Sequence, residues 1–210
     1  MSKALEGVRI LDMTHVQSGP TCTQILAWFG ADVIKIEPPG GDPTRSWGPP
    51  FWEGEPPLFL SYNRNKRSVV LDLKSEGGHD VLWRLIDSAD VFVQAYRAGV
   101  IEKLGFAYEQ VRERRPDIIY ASVTGYGSRG PLKERPGYDP LIQAYTGVMS
   151  LTGHPDGPPA RVGGSVVDVG TGILTALGIL AALRERDKTG KGTHVEASLL
   201  ATSLGWVSYH

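Results

Sequence analysis

The 210 residues carry 22 Lys and Arg against 23 Asp and Glu, a formal net charge of -1. That balance excludes the basic surplus of a typical nucleic-acid binder. Hydrophobic residues make up 41 % and charged residues 21 %, which excludes wholesale disorder.

One cysteine leaves no intrachain disulfide framework and points to a reducing, cytoplasmic compartment. No apolar run approaches the ~20 residues of a membrane span, so no membrane association is expected. The first residues, Met-Ser-Lys-Ala-Leu-Glu-Gly, lack the apolar stretch of a signal peptide. The length suits one domain or little more. The 26 glycines and 15 prolines predict many turns and long loops.

In chain order, residues 8–13 read as a buried strand. A loop, Thr14-His15-Val16-Gln17-Ser18-Gly19, leads to Pro20, placed where a first helical turn tolerates it. Residues 21–29 predict a short helix ended by Gly30. Residues 32–37 predict a second strand, so the opening is a βαβ unit with parallel strands. The Pro- and Gly-dense stretch 38–57 is a long loop. Strands follow at 68–73, 91–93 and 118–124. A helix at 76–88 carries Val81, Leu82, Leu85 and Ile86 at helical spacing. Residues 138–150 are helical, and Asp168 opens a long apolar helix that ends near 184–188. A turn at 188–192 precedes a last strand at 194–197. The alternation predicts an α/β domain with a mostly parallel sheet.

Several motifs carry candidate chemistry. Gly125-Tyr126-Gly127-Ser128-Arg129-Gly130 is literally G-x-G-x-x-G, but Pro131 and Pro136 spoil the helix a pyrophosphate site needs, so it reads as a turn-rich loop. Glu37, at the end of the second strand, is either a ribose ligand or an exposed strand-end carboxylate. Cys22 reads as a small buried helix residue rather than a nucleophile paired with His15. The five histidines have no metal-ligand spacing, so no metal is expected. Asn63-Arg64-Asn65-Lys66-Arg67, with Lys74, is either an anion site or a solvated turn. Asp168 lies between Gly163-Gly164 and Gly170-Thr171-Gly172. Those glycines would let a ligand approach its carboxylate, and the position also suits a helix N-cap; the two roles are compatible.

Several segments together resemble the family III CoA-transferases. They are Thr14–Pro20, Gly30-Ala31-Asp32-Val33-Ile34-Lys35-Ile36-Glu37, Asn65-Lys66-Arg67-Ser68, Leu71-Asp72-Leu73-Lys74, Ser122-Val123-Thr124-Gly125-Tyr126-Gly127, and the Asp168 segment with Gly178-Ile179-Leu180-Ala181-Ala182-Leu183. The resemblance implies a Rossmann-like large domain spanning residues 1–210, without the family's small C-terminal domain and return linker. It also implies an interlocked homodimer with no tightly bound cofactor, and an acyl-CoA thioester and a small carboxylic acid as substrates. Covalent catalysis would fall to Asp168, ionised at an ordinary pKa, forming first an anhydride and then an aspartyl-CoA thioester. CoA contacts would fall to His15, Val16, Gln17, Leu71, Lys74, Tyr96, Arg97 and Lys103, with Gln17 donating near the thioester. Tyr138 and Asp139 would line the acyl site from behind. Ala95, Pro38 and Pro136 depart from the family pattern. A related α-methylacyl-CoA racemase activity would need a histidine where Tyr138 stands, which favours transfer. A non-catalytic CoA-binding or dimerisation fragment is the further alternative. Small dicarboxylates such as oxalate or succinate are the substrates the first loop leans toward.

Overall fold

A computed structural model describes residues 3–209. Six strands form one sheet: β1 Arg9–Met13, β2 Asp32–Glu37, β3 Lys66–Val70, β4 Val91–Gln94, β5 Ile119–Thr124 and β6 His194–Ser198. All neighbours are parallel, in the order β3-β2-β1-β4-β5-β6. This is the doubly wound Rossmann order; it bears out the α/β reading and the Rossmann-like fold that the family resemblance implies. The third strand starts two residues before its predicted position. The chain direction across the sheet reverses between β1 and β4, which opens a crevice at their C-terminal ends.

The strands alternate side chains between two cores. On one face Ile10, Val91, Val93, Ile119 and Ala121 pack beneath α1 (Ser18–Trp28) and α7 (Val166–Thr189). On the other, Leu11, Phe92, Ile118 and Tyr120 pack beneath α3 (Glu76–Asp87), α4 (Val100–Lys103) and α5 (Tyr108–Arg114). Ser75 caps α3 by accepting from the Gly78 N–H, which fixes its start where the apolar spacing begins. The two short helices α4 and α5, and α2 (Pro57–Asn63), escape sequence reading because each is too short to show periodicity. The predicted helix at 138–150 is broken: α6 (Asp139–Tyr145) stops before Gly147, whose φ of +87° starts a 3₁₀ turn at Val148–Leu151. The last helix, α8, spans Leu199–Trp206.

α7 corrects two expectations. Its 24 residues include an 18-residue window of mean hydropathy 2.0, so by length and composition it could cross a bilayer. Here one face is core, with Val167, Ala176, Ile179 and Leu183 buried. Its glycines serve packing rather than ligand access. A Cβ on Gly172 would lie 2.6 Å from the Ser18 carbonyl oxygen, and one on Gly170 would strike the Trp206 ring. Of the glycines that flank Asp168 in the sequence, only Gly163 and Gly164 face open space.

Candidate active site

Beneath the first loop lies a buried ionic frame. The Asp12 carboxylate accepts from Thr14 N–H, the Thr14 and Thr23 hydroxyls and Lys66 Nζ (2.9 Å). Lys66 also donates to the Pro20 carbonyl and Asn63 Oδ1. Lys35 Nζ donates to the Thr14 carbonyl at 2.7 Å and pairs with Asp42 at 2.8 Å. Burial alone would raise the pKa of Asp12. The ammonium groups of Lys66 and Lys35 and the two hydroxyls outweigh it and hold the carboxyl well below its ordinary range. This frame fixes Thr14 from three sides. Val16, two residues on, adopts φ +66°, a conformation that costs a β-branched residue about 1–3 kcal/mol and persists only where the surroundings impose it.

Of the three cations in the basic stretch at 63–67, two are engaged by carboxylates. Lys66 is buried on Asp12, and Arg67 grips Asp32. Glu37 is neither a ribose ligand nor exposed. It is 1 % accessible, paired with Arg45 and bonded to Ser68 Oγ and the Asp42 N–H. These partners hold its pKa near about 2 against the opposing effect of burial. Cys22 is fully buried, and burial raises its pKa, which agrees with a packing role. The G-x-G-x-x-G segment forms turns. No helix follows it, and Gly125 packs directly on the Gly137 backbone, where a Cβ would meet Gly137 Cα at 2.6 Å.

That glycine contact folds the 125–138 loop back onto the crevice. The result is a cavity of about 380 Å³ at the C-terminal ends of β1, β4 and β5. His15, Val16, Gln17, Tyr96, Arg97, Tyr138 and Asp168, all singled out from sequence, line it. Leu71 and Lys74 line a second cavity of about 450 Å³, which shares Tyr96 with the first. Burial raises the Tyr96 phenol above its ordinary value, so it acts as a neutral hydrogen-bonding group. Its backbone N–H donates to Gln94 Oε1 at 2.8 Å, and the Gln94 amide donates to Ser122 Oγ, itself 2.9 Å from His194 Nε2. Three strands thus hold the Tyr96 loop. Lys103 is exposed at the end of α4 and lines neither cavity; its neighbour Leu104 lines the second.

Three roles differ from expectation. Asp168 is the third residue of α7, not its N-cap, and Ser165 at the cap position makes no side-chain bond. The cap comes from another helix: Asp139 Oδ2 accepts from the N–H groups of Val167 (2.7 Å) and Asp168 (3.0 Å). Asp139 is therefore buried beside α7 rather than lining the cavity, while Tyr138 is 59 % exposed and does line it. The Asp168 carboxylate is left free of capping duty. Burial, then the neighbouring Asp139 charge, push its pKa up to about 7. The expectation of an ordinary carboxylate is thus corrected to one whose charge the fold disfavours. Finally, the Gln17 amide already donates to the Tyr62 hydroxyl.

Sequence reading missed Ser18, Lys133 and Arg135 on the cavity wall. No motif marks Lys133 and Arg135, because the fold-back of the 125–138 loop brings these two cations there; Ser18 lies within the first-loop segment, where it has no assigned role. Arg97, Lys133 and Arg135 make no ion pair among the described residues.

The chain is similar to known proteins. The sequence profile described as CoA-transferase family III matches residues 5–210. A formyl-CoA:oxalate CoA-transferase of Streptomyces avermitilis is 46 % identical over 95 % of this chain and 48 % of the relative. A succinyl-CoA:glutarate CoA-transferase of Homo sapiens is 43 % identical over 99 % of this chain and 48 % of the relative. A crystal structure of a CaiB/BaiF family protein from Brucella suis superposes with a TM-score of 0.96 at 39 % identity, covering 99 % of this chain and 56 % of that one. The chain spans about half the length of the curated relatives it matches.

Proposed function

The chain belongs to CoA-transferase family III, and on that premise we propose that it moves CoA from an acyl-CoA thioester to a carboxylic acid, with Asp168 as the nucleophile. The observation that carries the reading is the cavity itself. It brings together a carboxylate free of internal partners and Gln17, Tyr96 and Arg97, and a second cavity, lined by Lys74, shares Tyr96 with it. An elongate ligand with anionic groups suits that shape and charge.

In this reading an Asp168 oxygen attacks the thioester carbonyl carbon. A C–O bond forms, the C–S bond breaks, and CoA leaves as a thiolate. The thiolate attacks the Asp168 carbonyl of the resulting anhydride, freeing the donor acid and leaving an aspartyl-CoA thioester. The acceptor carboxylate attacks that thioester, and the same steps in reverse place CoA on the acceptor. No net proton moves and no nucleotide is hydrolysed, because each activated acyl bond replaces another. A carboxylate with a raised pKa is the stronger nucleophile among those still ionised near pH 7. Tyr96 positions the thioester arm, and Arg97 and Lys74 serve the phosphates.

Lys133 and Arg135, the unpaired cations on the fold-back loop, favour small dicarboxylate substrates, consistent with relatives named for oxalate and glutarate. Ile173, Leu174, Leu177, Leu204 and Trp206 stay exposed on α7 and α8. We read that apolar face as covered in an interlocked homodimer.

Incubation with formyl-, acetyl- or succinyl-CoA, borohydride or hydroxylamine trapping and peptide mass spectrometry test the reading. A modified Asp168 is expected. An unmodified Asp168 in a chain that binds CoA would overturn its nucleophilic role, and solvent deuterium at the α-carbon without transfer would favour racemisation.

A further inference from the structure

Among the polar groups that line the cavity and have no step in the proposed mechanism, Ser18 is the one left buried without a partner. Ser18 is 8 % accessible, and its hydroxyl is buried without a hydrogen-bond partner. A buried hydroxyl in that state is destabilising unless something bonds it, and native structures rarely tolerate one. Ser18 is also the first residue of α1 and lines the cavity. α1 has no side-chain cap, since the flanking Gln17 spends its amide on Tyr62. Pro20 at the third position offers no N–H, so the first-turn donors are the N–H groups of Ser18 and Gly19. The helix end and the residue with the orphaned hydroxyl therefore border the same space.

The packing of α1 on α7 puts this space beside the nucleophile. The Ser18 carbonyl rests against Gly172, and Gly172 lies one turn beyond Asp168 on the same face of α7. Only a residue without a side chain at 172 allows that approach. Ser18 and Asp168 thus face one cavity from adjacent helices.

We propose that the Ser18 hydroxyl is a hydrogen-bond donor to the carbonyl oxygen of the acyl group that reacts at Asp168. The inference rests on the transferase reading above. When the Asp168 oxygen bonds to the carbonyl carbon, the carbonyl π pair moves onto its oxygen. Ser18 meets that charge, keeps its own proton, and lets the bond re-form as the C–S bond breaks. A donor fixed before reaction stabilises developing charge without reorganisation, which is why deletion of one such donor costs a large factor in rate.

The test is rapid-quench mass spectrometry of the Asp168 adduct in wild type and Ser18→Ala, with saturating formyl-, acetyl- or succinyl-CoA. CoA affinity by calorimetry and thermal melting are measured alongside. Adduct formation is expected to slow by roughly 100-fold or more in Ser18→Ala. CoA affinity should be unchanged, and Tm equal or higher, since the hydroxyl has no internal partner to lose. A Ser18→Ala chain that reacts at the wild-type rate overturns the role of Ser18 and leaves the transferase reading standing. A lowered Tm also overturns it, by revealing an internal bond. A wild-type chain that binds CoA yet forms no adduct overturns the reading of Asp168 instead.

Discussion

Asp168→Asn removes a charge the fold disfavours and keeps the shape of the side chain. In the folded chain the Asp168 pKa is about 7, against an ordinary 3.8. The folded state therefore holds the proton more tightly than the unfolded chain does. The contribution of this group to stability is greatest below pH 3.8 and is lost progressively as pH rises through 7, above which both states are ionised. At ~1.4 kcal/mol per pH unit the full loss is about 4 kcal/mol. Placement in the first turn of α7 returns about 0.3–1 kcal/mol to the ionised form, so a net of about 3 kcal/mol is expected. Asp168→Asn escapes that loss. The difference in unfolding free energy between variant and wild type should be under about 1 kcal/mol at pH 4 and about 3 kcal/mol at pH 8. For a chain of this size that is a Tm higher by roughly 6–12 °C at pH 8. Denaturant and thermal melts across pH 4–8 measure it. A difference that stays flat with pH would refute the claim that burial and Asp139 strain this carboxylate.

Three further outcomes follow from the same contacts. Asp139→Ala leaves two N–H groups at the start of α7 uncapped and should destabilise the chain by about 1–2 kcal/mol; because it also removes the like charge, the pH midpoint of Asp168 adduct formation should fall below that of wild type, and an unmoved midpoint would refute the coupling. Lys66→Ala strands the buried Asp12 carboxylate and should cost about 3–5 kcal/mol in urea unfolding; a loss under about 1 kcal/mol, the level of an exposed pair, would refute the frame under the first loop. The double variant Lys133→Gln/Arg135→Gln should bind acyl-CoA or dicarboxylate more weakly by calorimetry and with a shallower salt dependence; unchanged affinity and salt slope would remove both side chains from the anion-binding wall.

Much of the fold was legible along the chain because it depends on local period. Buried parallel strands read as short apolar runs, and α3 shows both a Ser cap and helical spacing. The segments flanking β1, β4 and α7 likewise carried most of the cavity residues in sequence order. Glu37 and Lys66 were ambiguous for a physical reason. A charged side chain looks the same in sequence whether it meets water or a partner 8 or 54 residues away, and here Arg45 and Asp12 are those partners.

Sequence alone thus determined the α/β architecture, the βαβ opening and the placement of Asp168 at the head of a long apolar helix. Tertiary structure decided what that carboxylate is. Its capping duty passes to Asp139, 29 residues earlier, and its charge is disfavoured by burial and by that same neighbour. The fold-back of the 125–138 loop and the Gly172 contact decided which cations and which hydroxyl share its cavity. Proton affinity and donor geometry depend on groups distant in the chain and close in space, so they come into being only when the helices and the sheet pack.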